Sequence, residues 1–356
     1  MRVLTVIGNR PQFIKAAAVS GPLRAVADEV LVHTGQHYDD ALSQVFFDEL
    51  GLPRPDHRLD LGGGSNTAQT ARMLEALEPL LAREHPALVL VYGDTNSTLA
   101  GALAGAQARI PVAHVEAGMR SYDRSMPEEL NRVLTDHASD LLLCSSQGPA
   151  EILRGEGVGG EIEVVGDVMV DVAQLLGPRA AARTETLARF CLTAGAYVLA
   201  TAHRAGNVDD PVRLARLVAL LAAVPYPVIL PLHPRTAARL DAAGLRARLE
   251  QSGAVLAPPL GPLDFTALLH SARAVLTDSG GVQKEAYLAG VPCVTLRAET
   301  EWTETVDAGW NVTADLDADA ALAALERRPP AERPPLYGDG RAGERVAAAI
   351  ARRMGV

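Results

Sequence analysis

Residues 87–116 (ALVLVYGDTNSTLAGALAGAQARIPVAHVE) constrain the fold of this chain more than any other stretch. Two short runs of branched apolar residues, 87–92 and 111–115, flank an Ala- and Leu-rich segment, 95–109, with helical spacing. Continuous rather than alternating hydrophobicity marks a strand buried on both faces, which in an α/β protein belongs to a parallel sheet. Each strand releases the chain at a carboxylate: Asp94 after Gly93, and Glu116 before Ala117 and Gly118. Ligands bind at such strand ends. Asp94 reads either as an N-cap or as a functional acid. Glu116 needs a charged partner or a task, and Arg120 or Arg132 is the expected partner if its role is structural. Glu128 and Glu129 follow Pro127, where acids favour the helix dipole. Asp94, Glu116 and Glu128 within one βαβα stretch point together beyond capping to acid/base chemistry.

The alternation continues on both sides. A first strand at 3–8 turns through Asn9 and Pro11 into a helix, so that Arg10 and Lys15 flank a helix amino terminus, which suits an anion. A second strand, 29–32, leads into HTGQHY, whose two histidines read as polar loop contacts rather than a metal pair. Residues 61–66 (LGGGSN) read as a mobile loop before a helix at 67–84. Strands at 140–144 and 162–165, with a helix through Ile152 between them, complete one doubly wound domain. A pattern-poor stretch at 177–183 then reads as the linker.

The second half repeats the plan, with strands at 196–200, 227–230, 254–256 and 274–277 and helices at 211–223, 235–251 and 263–271. His203 and His233 each follow a strand and are expected to face a common crevice. At 277–285 (TDSGGVQKE) a strand breaks at small residues and a helix starts. Amides there can cradle phosphate, and Glu285, farther along the helix, suits the hydroxyls of a ribose. A helix at 341–354 is expected to pack back across the domain junction.

Length fits this division, because 356 residues exceed one compact core and suggest two domains of about 150 to 180 residues each. The expected boundaries are 1–175, carrying the acid/base residues, 176–339, and a terminal helix in 340–356. A formal charge of −10 disfavours nucleic acid and anionic membranes, so a phosphate-bearing ligand needs a local basic pocket. No apolar run reaches the ~18 residues of a membrane span, and the start lacks a cleavable leader pattern, so a cytoplasmic protein is expected. Cys144, Cys191 and Cys293 are expected to be buried free thiols rather than a disulfide frame or a metal site.

Taken together, RPQFIKA, HTGQH, YGDTNSTLAGAL, HVEAGMRS, MPEELNR, VGDVMVD, PLHPR, TDSGGVQKEA and GVPCVTLR, with YGDG near the end, resemble the non-hydrolysing UDP-N-acetylglucosamine 2-epimerase family. The resemblance implies an α/β GT-B fold, two Rossmann-like domains facing an interdomain cleft. It implies a cytoplasmic isomerase acting on a UDP-sugar, as a homodimer, with no cofactor and no metal. Asp94, Glu116 and Glu128 match the family's acid/base carboxylates, and His203 an active-site histidine. Arg10, Lys15, Arg132, His233, Ser279, Gly280, Gly281 and Glu285 match UDP-binding positions, and Phe265 a residue near the uracil. Gln36, His37 and Arg72 resemble parts of a site for a second, activating UDP-sugar. The family usually writes HRxEN where this chain has HRAGN, so Gly206 stands where a carboxylate is expected, and Asp39 also departs from the pattern. The spellings RPQFIKA, SGGVQKEAY and ETEW look most like the subgroup acting on UDP-2,3-diacetamido-2,3-dideoxyglucuronate, which is the alternative substrate. A GT-B glycosyltransferase or a non-catalytic nucleotide-sugar sensor is the remoter alternative.

Overall fold

The structure, a computed structural model, describes residues 1–36, 45 and 47–356, so His37 and Asp39 lie outside the described residues. The chain forms two compact units, Met1–Leu175 with Tyr337–Val356, and Leu176–Leu336.

In the first unit the apolar runs become parallel strands: β1 (Arg2–Ile7), β2 (Asp28–His33), β3 (His57–Arg58), β4 (Leu88–Tyr92), β5 (Val112–Val115), β6 (Leu141–Cys144) and β7 (Glu161–Val164). Their order is β3-β2-β1-β4-β5-β6-β7, with Val3 opposite both Glu29 and Leu88. The order reverses between β1 and β4, so the loops leaving these two strands part and leave room for a ligand. Every residue of β4 is buried. Met73, Leu77, Leu80 and Leu81 of helix Asn66–Glu84 pack against Leu4, Val6, Val89 and Val91.

The second unit holds β8 (Val198–Thr201), β9 (Val228–Pro231), β10 (Val255–Ala257), β11 (Ala274–Thr277), β12 (Cys293–Thr295) and β13 (Asn311–Thr313). Their order, β10-β9-β8-β11-β12-β13, switches between β8 and β11. Both units are Rossmann-like, as the GT-B resemblance implies.

Three local expectations are corrected. The helix expected over 235–251 is two, Pro234–Ala242 and Arg246–Gln251, because Gly244 between them takes φ +66. Residues 177–181 are helical rather than irregular, in the helix along which the chain passes from the first unit to the second. They belong to Val168–Ala181, where burial of Val168, Val172, Leu176 and Ala180 overrides the poor propensity of Gly177 and Pro178. Cys191 is exposed, in a turn beyond helix Thr184–Arg189, whereas Cys144 and Cys293 are buried. The terminal helix, Ala342–Met354, belongs to the first unit, to which the chain returns at Tyr337; it packs on helix Arg10–Arg24, and the Asp171 carboxylate accepts the Ala342 and Gly343 amides at 3.1 and 2.8 Å. Among the described residues no helix is long and apolar enough to cross a membrane.

Candidate active site

In the first unit Lys15, Asp94, Glu116 and Arg132 come together beyond the ends of β4 and β5. Asn9 caps helix Arg10–Arg24 by accepting the Gln12 amide, and Pro11 occupies the first turn, where a missing N–H costs nothing. The Gln12 side chain accepts from the Gly8 amide and donates to the Tyr92 carbonyl and to Thr98 Oγ1, tying the end of β1 to the end of β4. Arg10 is half-buried at the helix start, and Lys15 lies one turn in.

Lys15 forms an ion pair with Glu116, the residue directly after β5. The expectation that Arg120 or Arg132 would pair with Glu116 is therefore corrected. Burial disfavours the Lys15 ammonium, but Glu116 and then Asp94 outweigh it and hold its pKa above the ordinary value. Glu116 has φ +71, a left-handed backbone that a β-carbon disfavours. Asp94 is not an N-cap. Thr95 caps helix Asn96–Gln107 in a reciprocal capping box with Thr98, which leaves Asp94 to accept two bonds from Arg132, at 2.9 and 2.7 Å. Arg132 also reaches Glu129 at 3.2 Å, and Asn131 donates to the Asp94 carbonyl at 2.9 Å.

Helix Pro127–Ala138 opens with Glu128 exposed and Glu129 buried. Glu128 takes no part in these ion pairs. Glu129 accepts the Ser121 amide and hydroxyl and the Tyr122 amide. Burial works to raise its pKa, but those bonds and Arg132 hold it below the usual carboxylate range. Sequence reasoning saw Glu129 only as a dipole partner, although an acid one position from an exposed one on a helix was bound to face elsewhere.

In the second unit β8 and β11 release the chain side by side. Asp278, wholly buried after β11, accepts the backbone amides of His203 and Arg204 at 3.0 to 3.1 Å and the Asn207 side chain at 3.2 Å. It fixes the turn that carries His203, a role the sequence did not reveal. The rings of His203 and His233 stack, with centroids 5.5 Å apart. Burial lowers the His203 pKa, Asp278 opposes this, and Arg204 and Arg235 add to the lowering.

Ser279 caps helix Gly280–Ala289, and its own amide donates to Thr277 Oγ1 at 2.9 Å. The amides of Gly280 and Gly281 belong to the first turn, whose N–H groups have no intrahelical acceptor and attract anions. Lys284 lies 4.0 Å from the centre of the Trp302 ring. Glu285 keeps some contact with solvent but is surrounded by protein, and burial pushes its carboxyl up to about 7, with Lys284 opposing. Phe265, on helix Pro262–Ser271, is partly buried against the core of this unit.

Gln36 accepts from the amide and hydroxyl of Ser97 at 3.0 and 2.7 Å. Arg72 donates to the carbonyls of Leu61 and Gly62, each at 3.3 Å, and of Gly63, and so ties down the glycine-rich loop. Among the described residues no cluster of three or more His, Cys, Asp or Glu is placed to hold a metal ion.

A family model described as UDP-N-acetylglucosamine 2-epimerase matches residues 23–351. The chain is 44% identical to the UDP-2,3-diacetamido-2,3-dideoxy-D-glucuronate 2-epimerase of Pseudomonas aeruginosa, over 99% of this chain and 100% of that protein. It is similar to the crystal structure of Methanocaldococcus jannaschii UDP-GlcNAc 2-epimerase in complex with UDP-GlcNAc and UDP, with a TM-score of 0.89 and 38% identity, over 99% of this chain and 100% of that one. A third similarity, with a TM-score of 0.88 and 27% identity over 99% and 100% of the two chains, is to the Neisseria meningitidis UDP-GlcNAc 2-epimerase bound to UDP-GlcNAc.

Proposed function

We propose that this chain, which belongs to the UDP-N-acetylglucosamine 2-epimerase family, inverts C2 of a UDP-N-acetylhexosamine, interconverting UDP-GlcNAc and UDP-ManNAc. The observation that supports this most is the pairing at the ends of β4 and β5: two carboxylates on adjacent strands, Asp94 and Glu116, each held by a cation.

The C2 proton is not next to a carbonyl, so its simple removal leaves an unstabilised carbanion. Elimination avoids this. As a carboxylate takes the C2 proton, the C2–H electron pair becomes a C1–C2 double bond and the C1–O pair leaves with UDP. The product is bound 2-acetamidoglucal. Return of a proton to the other face of C2, with re-addition of UDP at C1, gives the epimer. There is no net oxidation, so no nicotinamide is consumed. We assign the proton transfers to Asp94, Glu116, Glu128 and His203. Arg10, Lys15, Arg132, His233 and the amides at Ser279, Gly280 and Gly281 hold the charge of the leaving diphosphate. Glu285 takes the ribose and Phe265 the uracil. In this reading residues 1–175 supply the acids and 176–339 the UDP site, with the terminal helix in 340–356. Gln36, His37 and Arg72 are assigned to binding a second UDP-sugar. The same reading places the enzyme in the cytoplasm as a homodimer; light scattering that gives the mass of one chain removes the dimer.

A second reading keeps the chemistry and changes the sugar to UDP-2,3-diacetamido-2,3-dideoxyglucuronate, favoured by the 44% identity to the Pseudomonas aeruginosa protein. One experiment tests both. The protein is incubated with each UDP-sugar in deuterated water and the products are read by NMR. Deuterium at C2 of an inverted product identifies the substrate and supports elimination. Inversion with hydrogen fully retained at C2 excludes it.

A further inference from the structure

The buried histidine of β5 has no place in the chemistry just described. His114 is 1% exposed, in a strand whose other residues are apolar. A polar ring there costs desolvation unless its nitrogens are bonded. Its Nε2 lies 2.7 Å from the Gly93 carbonyl and its Nδ1 2.7 Å from Asp136 Oδ1. Asp136 is wholly buried, and its other oxygen accepts the Gly118 amide at 3.2 Å and Arg120 Nη1 at 2.7 Å. Arg120 is braced in turn by Glu156. Burial works to raise the Asp136 pKa, but His114 and Arg120 outweigh it and hold it below the usual range, so Asp136 is an acceptor. The Gly93 carbonyl can only accept. Nε2 is therefore the donor to Gly93, and the ring bridges that carbonyl and Asp136.

These bonds end beside two carboxylates. Gly93 precedes Asp94, and Gly118 lies two residues beyond Glu116. Gly93 has φ +65 and no side chain of its own, so the direction of the peptide that leads into Asp94 is set by what binds its carbonyl. We propose that His114 is a positioning residue: it clamps the Gly93 carbonyl and, through Asp136, the Gly118 amide, and so holds Asp94 and Glu116 in register with each other. This rests on the epimerase reading, in which both acids take part in proton transfer at one carbon.

The test uses two substitutions in the full chain, because an Asn amide reaches about as far as Nδ1 and a Gln amide about as far as Nε2. His114→Asn keeps the Asp136 bond and loses the Gly93 bond, whereas His114→Gln can still reach Gly93. The Asn variant is expected to lose about 100-fold in kcat, the usual result of misplacing a reacting group by an ångström, with KM and UDP affinity near wild type. The Gln variant should recover about 10-fold of that loss. The Asn variant should also exchange more C2 deuterium into recovered substrate for each inversion, since removal and return of the proton are then out of step. If the Asn variant does not fold, Asp136→Asn carries the test, because it leaves the Gly93 clamp and loosens Gly118, and a lower kcat at unchanged KM is expected. Wild-type kcat in the Asn variant, equal losses in Asn and Gln, or a loss that tracks UDP affinity or melting temperature overturns the inference. No C2 exchange in the wild-type enzyme overturns the epimerase reading and this inference with it.

Discussion

Glu129 and Glu285 are both largely withdrawn from solvent, yet their surroundings drive them in opposite directions. Glu129 meets three donors from residues 121 and 122 and the Arg132 guanidinium, and stays ionised. Glu285 has only the Lys284 charge against its burial, and its carboxyl titrates at about 7. A raised pKa means that the folded state binds the proton more tightly than the unfolded state. The stabilisation is complete below the ordinary glutamate range and is lost as pH rises through about 7. A carboxylate accepting two ribose hydroxyls must be ionised, so UDP affinity should improve over the same interval. The ratio of wild-type to Glu285→Gln affinity for UDP, measured by calorimetry, is expected to rise about tenfold from acid to alkaline pH, as suits charge-assisted hydrogen bonds. A ratio that does not change with pH removes Glu285 as the ribose ligand. At this scale the sequence reveals which residues carry charge at strand ends, but not which charge meets which. Asp94 and Glu116 stand out because each ends an apolar run. Their partners, Arg132 and Lys15, are 38 and 101 residues away, and no local spacing encodes such a distance.

Strands and helices were legible where burial is periodic and the run is long enough. β4, β5, β11 and helix Pro211–Ala223 follow directly from the apolar pattern. β3, β12 and β13 have two or three residues each and leave no pattern to read; pairing with neighbours already in the sheet defines them. Turns follow the same rule, because a glycine's meaning depends on what lies opposite it. Gly118 has φ +81, and a β-carbon there meets the Pro149 carbonyl oxygen at 2.5 Å. Gly206 sits in helix Ala205–Val208, and a β-carbon there meets nothing within 4 Å. Gly118→Ala is therefore expected to cost about 2 to 4 kcal/mol, from the left-handed backbone and the clash together. Gly206→Ala should be neutral or stabilising by up to about 1 kcal/mol, because it restricts only the unfolded chain. Denaturant melts of both variants check the pair, and equal effects contradict the argument.

At the scale of the whole chain, residues 337–356 return to the first unit after the second is complete. Tyr337 begins the return, with its carbonyl accepting the Asp167 amide at 3.2 Å. Helix Ala342–Met354 then lies so close to helix Arg10–Arg24 that a β-carbon on Gly343 meets the Ala18 carbonyl oxygen at 2.1 Å. Val346 and Ile350 are wholly buried on this helix. The last segment of the sequence thus covers the first helix, and damage to it should be felt in the first unit. Ile350→Ala is expected to cost about 2 to 4 kcal/mol. Hydrogen exchange should locate that loss in β1, β4 and helix Arg10–Arg24, while β8, β9 and β11 keep their protection. Leu217→Ala, in the core of the second unit, should give the reverse pattern, since Leu217 packs with Val198, Leu230 and Leu276. If either substitution lowers protection equally in both units, the chain opens as one cooperative body and the two units are not independent in stability.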